Sequence, residues 1–320
     1  MNQLYEVGFH VFWAIFHQIS GISWLAIYRY FPGIVFMITI LSVYISTRRA
    51  GFGLEAAFFT CLILTTVGLL GPAFMVPVAM GLLFIPLALF VVFYSRGWLS
   101  YVVLSIFMCF LVSIHGATAV NLIIILTPCI LLNLKGDFRH SLGITLALLA
   151  PFLVAIFFFP WIIQTILTTA RSLLVPKQIL TFVDLPRIIP TYGYLPILLC
   201  LLGTFLLVVK GGKKNYSLVL GLLAMLAMLT TFYTLHYGEG AMYYRGLIHT
   251  MLLLGIIAGA GLMAVRNVRL PVTFSFQQKV PFITRNIGNV LCLILVGLIL
   301  FIAIPDRQHT PYYHIYRHLS

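Results

Sequence analysis

Residues 54–95 read LEAAFFTCLILTTVGLLGPAFMVPVAMGLLFIPLALFVVFYS, and Glu55 is the one formal charge among them. A helix needs about 20 apolar residues to cross a hydrocarbon core of about 30 Å. This tract holds enough for two crossings, and GPAFMVP at 71–77 divides it, because proline and glycine stop a helix and set a tight turn. Spans are expected at 54–70 and 77–95. Neither segment alternates apolar and polar residues as a barrel strand does. Only helices or closed barrels satisfy their backbone groups in lipid, so the fold class is all-α, a polytopic transmembrane helical bundle.

The same reading extends along the chain. Further spans are expected at 31–47, 98–114, 117–134, 141–163, 194–210, 217–235, 246–265 and 287–304, about ten in all. With 62% hydrophobic and 8% charged residues, little is left for a soluble domain. The mean hydropathy is +1.10. The chain divides into an outer-face interfacial helix segment at 1–30, the bundle at 31–304 and an outer-face tail at 305–320.

The short loops set the orientation. Arg48, Arg49, Arg96, Lys135, Arg139, Lys210, Lys213, Lys214, Arg266, Arg269, Lys279 and Arg285 fall on one side if every span crosses once, 12 of the 19 basic residues. Lys and Arg accumulate in cytoplasmic loops, so both termini are expected outside the cytoplasm of a plasma-membrane protein. The net charge of +13 is then explained by topology and contact with anionic headgroups. Nucleic-acid binding is excluded, because no basic aqueous domain or arginine–aromatic stripe is present.

Residues 7–25 (VGFHVFWAIFHQISGISWL) place Phe9, Phe12, Trp13, Phe16 and Ile19 at helical spacing, interrupted by His10, His17 and Gln18. The segment reads as a helix lying in the membrane interface. A short first span is the competing reading, and it would invert the topology. The outer segment 164–193 mixes leucines with Arg171, Lys177, Asp184 and Arg187, as amphipathic interfacial helices do. All five cysteines fall inside expected spans without metal-ligand spacing, as small buried hydrophobes.

Carboxylates number six. Glu55 and Asp137 sit among the cytoplasmic arginines, whereas Glu6 and Glu239 stand on the outer side beside aromatic and histidine residues. These two are the candidates for carboxylate chemistry, against the plainer reading of interfacial charges on headgroups. HYGEGAMYYRGLIH at 236–249 is the densest outer cluster, with His236, Glu239, Tyr243, Tyr244, Arg245 and His249. Arg245 can meet a phosphate oxygen in a bidentate fork, or snorkel at its helix end. His10, His115 and Arg171 complete the candidate binding residues. No H-E-x-x-H, phosphate loop, serine elbow or dinucleotide fingerprint occurs.

Several segments carry a resemblance when read together: YEVGFHVFWAIFHQISGI at 5–22, LLGPAFMVPVAMGLLFIPLAL at 69–89, IHGATA at 114–119, AMYYRGLIHTMLLLGIIAGAGL at 241–262 and TPYYHIY at 310–316. They resemble the multi-pass GT-C-type glycosyltransferases, which include the oligosaccharyltransferase catalytic subunit and polyprenyl-phosphate-dependent sugar transferases. The resemblance implies transfer of a sugar from a polyprenyl-phosphate-linked donor at the outer membrane face. It implies a phosphate-binding arginine, which maps to Arg245, and a mobile outer loop, which maps to 164–193. It also implies an acidic first-loop motif and a bound Mg2+ or Mn2+. This sequence starts where the first outer loop of such enzymes ends. Glu6 is the carboxylate that maps nearest to the acidic motif, and one carboxylate is too few to hold the cation. Two further classes stay open: a non-catalytic GT-C-derived subunit that scaffolds other membrane subunits, and a transporter. The transporter ranks last, because no span carries a clear pair of intramembrane charges.

Overall fold

The computed structural model describes residues 7–63, 72, 74–158, 164, 168, 189, 192–237, 240–268 and 281–303. Every regular element among them is helical. In chain order they are α1 (Val7–Ser20), α2 (Trp24–Arg48), α3 (Gly53–Cys61), α4 (Pro77–Tyr94), α5 (Trp98–Ile114), α6 (Gly116–Asn133), α7 (Phe138–Phe158), α8 (Tyr194–Lys210), α9 (Lys213–Leu235), α10 (Gly240–Arg266) and α11 (Pro281–Ala303). Of these, α2, α4, α6, α7, α9 and α10 are long and apolar enough to cross a membrane, while α5, α8 and α11 are apolar but shorter over that test. Large hydrophobic side chains such as Met37, Leu41, Ile106, Leu201 and Phe205 face outward along them. An apolar exterior of this extent belongs to a protein whose solvent is lipid, and the long helices make it multi-pass.

The helix ends follow local chemistry. Pro77 occupies the first turn of α4, where its missing N–H costs nothing. Gly211 and Gly212 make the turn between α8 and α9 at φ of +68° and +95°, conformations that side chains with a Cβ rarely adopt. Two boundaries differ from the sequence reading. The first long helix starts at Trp24 rather than at 31, because Ser23 caps it by accepting from Ala26 N–H and Pro32 is accommodated inside it. The N-terminal helix stops at Ser20 rather than at 25, where the left-handed Gly21 turns the chain.

The sequence spreads its apolar residues evenly, but the structure does not bury its helices evenly. α10 is the core, packed by α8, α3, α9, α11 and α6. Glycines on α10 and α8 allow this. A Cβ on Gly261 would collide with the Leu199 carbonyl of α8, one on Gly203 with the Ile257 carbonyl, and one on Gly259 with the backbone of Ala56 in α3. Small residues let helix backbones approach where lipid removes the hydrophobic incentive to associate. α1 instead joins a smaller aromatic cluster. Trp13 is edge-on to Phe31 at 5.3 Å, and Phe12 to Phe110 at 5.5 Å. Gly8 abuts the Ser113 carbonyl, so α1 lies at the C-terminal end of α5.

The two ends of the bundle differ in charge. Lys214 lies over the Tyr94 ring at 4.1 Å, Arg49 stands 5.3 Å from the same centroid, and Arg96 pairs with Asp137 at 2.6 Å. Glu55, buried at the start of α3, pairs with Arg266 at the end of α10. Basic residues from four separate connections therefore share one end. The turn between α5 and α6 and the start of α10 lie at the other.

Candidate functional site

His115 separates α5 from α6 and starts the second helix by capping it. Its Nδ1 accepts from Thr118 N–H at 3.2 Å and from the Thr118 hydroxyl at 2.7 Å. With Nδ1 accepting, the neutral ring carries its proton on Nε2. Thr118 and Asn121 are one turn apart, so both line the same face of α6, and both are fully buried. On α10 the same geometry aligns Arg245 with His249 four residues later.

These faces meet. Asn121 Nδ2 donates to His249 Nδ1 at 3.0 Å. Among the described residues, Asn121 Oδ1, His249 Nε2 and the Thr250 hydroxyl are buried without a partner. Buried polar atoms are nearly always bonded, so the two orphans of the Asn121–His249 pair, and the Thr250 hydroxyl next in sequence, stand out in an otherwise apolar core. Arg245 is close enough to act electrostatically on both His115 and His249. Burial, and secondarily Arg245, lowers the pKa of His115 to about 4. Its imidazole is thus neutral at physiological pH.

Aromatic rings occupy the first turns of α10. Tyr243 is buried and stacks on Phe232 at 4.9 Å, and Tyr244 packs edge-on against Tyr243 at 5.7 Å. Arg245, Tyr243 and Tyr244 share the first turns of α10, while His115 stands at the facing start of α6. The structure therefore brings four of the sequence candidates to one end of the bundle. His236 does not join their buried face. It is exposed and ends α9 in the left-handed conformation, at φ 59°. His10 is exposed on α1, edge-on to Phe9 at 5.6 Å. Glu6, Glu239 and Arg171 lie outside the described residues.

Sequence reasoning placed His249 in the outer cluster but missed Asn121, Thr118 and Thr250. The available signal was an amide on α6 at the same depth from its helix start as the polar turn of α10, within otherwise apolar spans. Among the described residues no three histidines, cysteines or carboxylates converge as metal ligands. Imidazole, amide and hydroxyl groups without a carboxylate do not suit Mg2+ or Mn2+, which take hard oxygen ligands. The described donors suit an anion instead: the Arg245 guanidinium and the imidazole N–H groups of His115 and His249. Comparison with known proteins returned no matching family model, no matching curated protein and no matching solved structure.

Proposed function

We propose that this chain is a GT-C-like integral membrane glycosyltransferase that takes a sugar from a polyprenyl-phosphate donor at the outer face of the plasma membrane. The observation that carries the reading is Arg245, which acts on two buried imidazoles beside orphaned polar atoms at one end of an otherwise apolar bundle. The concentration of basic residues at the opposite end supports placing that end in the cytoplasm. All ten apolar segments then cross the membrane. α1, which packs beside the His115 end, lies along the outer interface, and both termini are extracytoplasmic.

In this reading Arg245 holds the donor phosphate, and the Nε2–H of His249 adds a hydrogen bond to it. Tyr243 and Tyr244 give a prenyl chain or sugar ring an aromatic wall. The acceptor attacks the anomeric carbon, the bond from that carbon to the phosphate oxygen breaks, and polyprenyl phosphate leaves. Glu239, six residues before Arg245, or Glu6, directly before α1, takes the acceptor's proton.

The test is transfer of labelled sugar from polyprenyl-phosphate donors in membranes containing the chain. Transfer lost in Glu239→Gln and weakened in Arg245→Ala supports the proposal. Absence of transfer, together with a stoichiometric membrane partner on purification, would replace it with the scaffold reading.

A further inference from the structure

At the basic end, three helices bring like charges together round one ring. Lys214 Nζ from α9 stands 4.1 Å over Tyr94 of α4, and Arg49 from the end of α2 is 5.3 Å from the same centroid and 5.4 Å from that of Phe90. Arg96 is near enough to repel Lys214 as well. The nearby carboxylate, Asp137, is engaged by Arg96 at 2.6 Å. Among the described residues neither Arg49 nor Lys214 has an ion pair. Like charges converging on one spot are unfavourable unless an anion lies between them.

Beneath these cations the surface turns apolar. A cleft lined by Ala50, Phe52, Tyr94 and Lys214 adjoins a cavity of about 280 Å³ that shares Ala50 and Phe52 and extends along Leu206 and Met263. Lys214 lines the cleft, Lys210 lines the cavity, and Arg49 stands over the Tyr94 ring that walls the cleft, so cations beside hydrocarbon match an amphiphile rather than a free ion. We propose that this cleft binds one anionic phospholipid, with its phosphate between Arg49 and Lys214 and an acyl chain in the apolar cavity. Such a lipid ties α2, α4 and α9 together at the end opposite Arg245, and the inference stands independently of the transferase reading.

The test uses the purified full chain, stripped of lipid in detergent and titrated with phosphatidylglycerol or phosphatidylcholine, with bound lipid counted by native mass spectrometry. One phosphatidylglycerol per chain is expected to bind saturably, with phosphatidylcholine much weaker. Each basic residue near an anionic headgroup contributes about fivefold, so Arg49→Gln with Lys214→Gln should weaken binding about 25-fold. The charge-conserving pair Arg49→Lys with Lys214→Arg should retain it. Equal retention of both lipids, or unchanged binding in the Gln pair, overturns the proposal. Displacement of phosphatidylglycerol by millimolar inorganic phosphate overturns a lipid occupant in favour of a soluble anion. A photoreactive phosphatidylglycerol on the unmodified protein needs no variant: labelling confined to peptides around residues 49, 94 and 214 is expected, and labelling spread over the apolar belt overturns the site.

Discussion

Asn121 and His249, 128 positions apart, join their side chains at 3.0 Å between α6 and α10, and both are fully buried. Each spends one polar atom on the other and leaves one without a partner among the described residues. This bond is a polar tie between α6 and the core helix α10. Arg245 lies one turn earlier on α10, near His115.

Removing half of the pair should cost more than removing both. Asn121→Leu leaves an imidazole nitrogen buried without its donor and should destabilise by about 1–2 kcal/mol. Asn121→Leu with His249→Leu should recover part of that loss, a coupling of about 1 kcal/mol in a double-mutant cycle read by thermal unfolding. Strictly additive losses would show that the two side chains do not support each other.

Gly261→Leu should be among the most damaging single changes. A side chain there meets the Leu199 carbonyl and must push α8 away from α10. Overpacking of this kind costs about 3 kcal/mol, which should lower Tm by about 6–10 °C. Gly297→Ala on α11, with nothing within 4 Å of the added Cβ, is the control and should leave Tm unchanged or slightly raised.

His115 gives the fold a defined response to acid. Its folded pKa is depressed to about 4, while the unfolded value is about 6.5. Above pH 6.5 both states are neutral there and the residue adds no pH dependence. As pH falls below 6.5 the unfolded chain takes a proton that the folded chain refuses, so stability drops by up to about 3 kcal/mol on approaching pH 4. His115→Asn, which keeps a cap on α6, should flatten this part of the profile. An equally steep loss in the variant would assign the acid response elsewhere.

Sidedness is open to direct labelling. On a background without the five cysteines, His236→Cys should react with a membrane-impermeant thiol reagent on intact cells. Lys135→Cys should react only after permeabilisation. The reverse pattern would put the basic end outside and remove Arg245 from the outer face.

The helices were legible because their ends carry strong local signals. Gly97, Gly193 and Gly211 bracket segments whose expected limits, 98–114 and 194–210, coincide with α5 and α8. The start of α2 was not legible, since Pro32 reads as a boundary although it sits inside the helix. Of the expected span 54–70, α3 accounts for Gly53–Cys61, and residues 64–70 lie outside the described residues. The gathering of Arg49, Arg96 and Lys214 at one end was legible, because alternating crossings place their loops together. Which apolar run forms the core was not, because α10 is no more hydrophobic than its neighbours. Its glycines matter only once the backbones they meet are known. The site was half legible for the same reason. Tyr243, Tyr244 and Arg245 are adjacent in the sequence, but the Asn121–His249 bond depends on how two helices face each other.

The central claim is that Arg245 marks a phosphate site at the outer end. The most direct measurement is saturable binding of polyprenyl phosphate to the purified chain, comparing the unmodified protein with Arg245→Ala and Arg245→Lys. Loss of a charge-assisted bidentate contact should weaken Arg245→Ala about tenfold or more, with Arg245→Lys between the two and Tm preserved in both. Binding by Arg245→Ala equal to that of the unmodified protein, with the fold intact, would contradict the account.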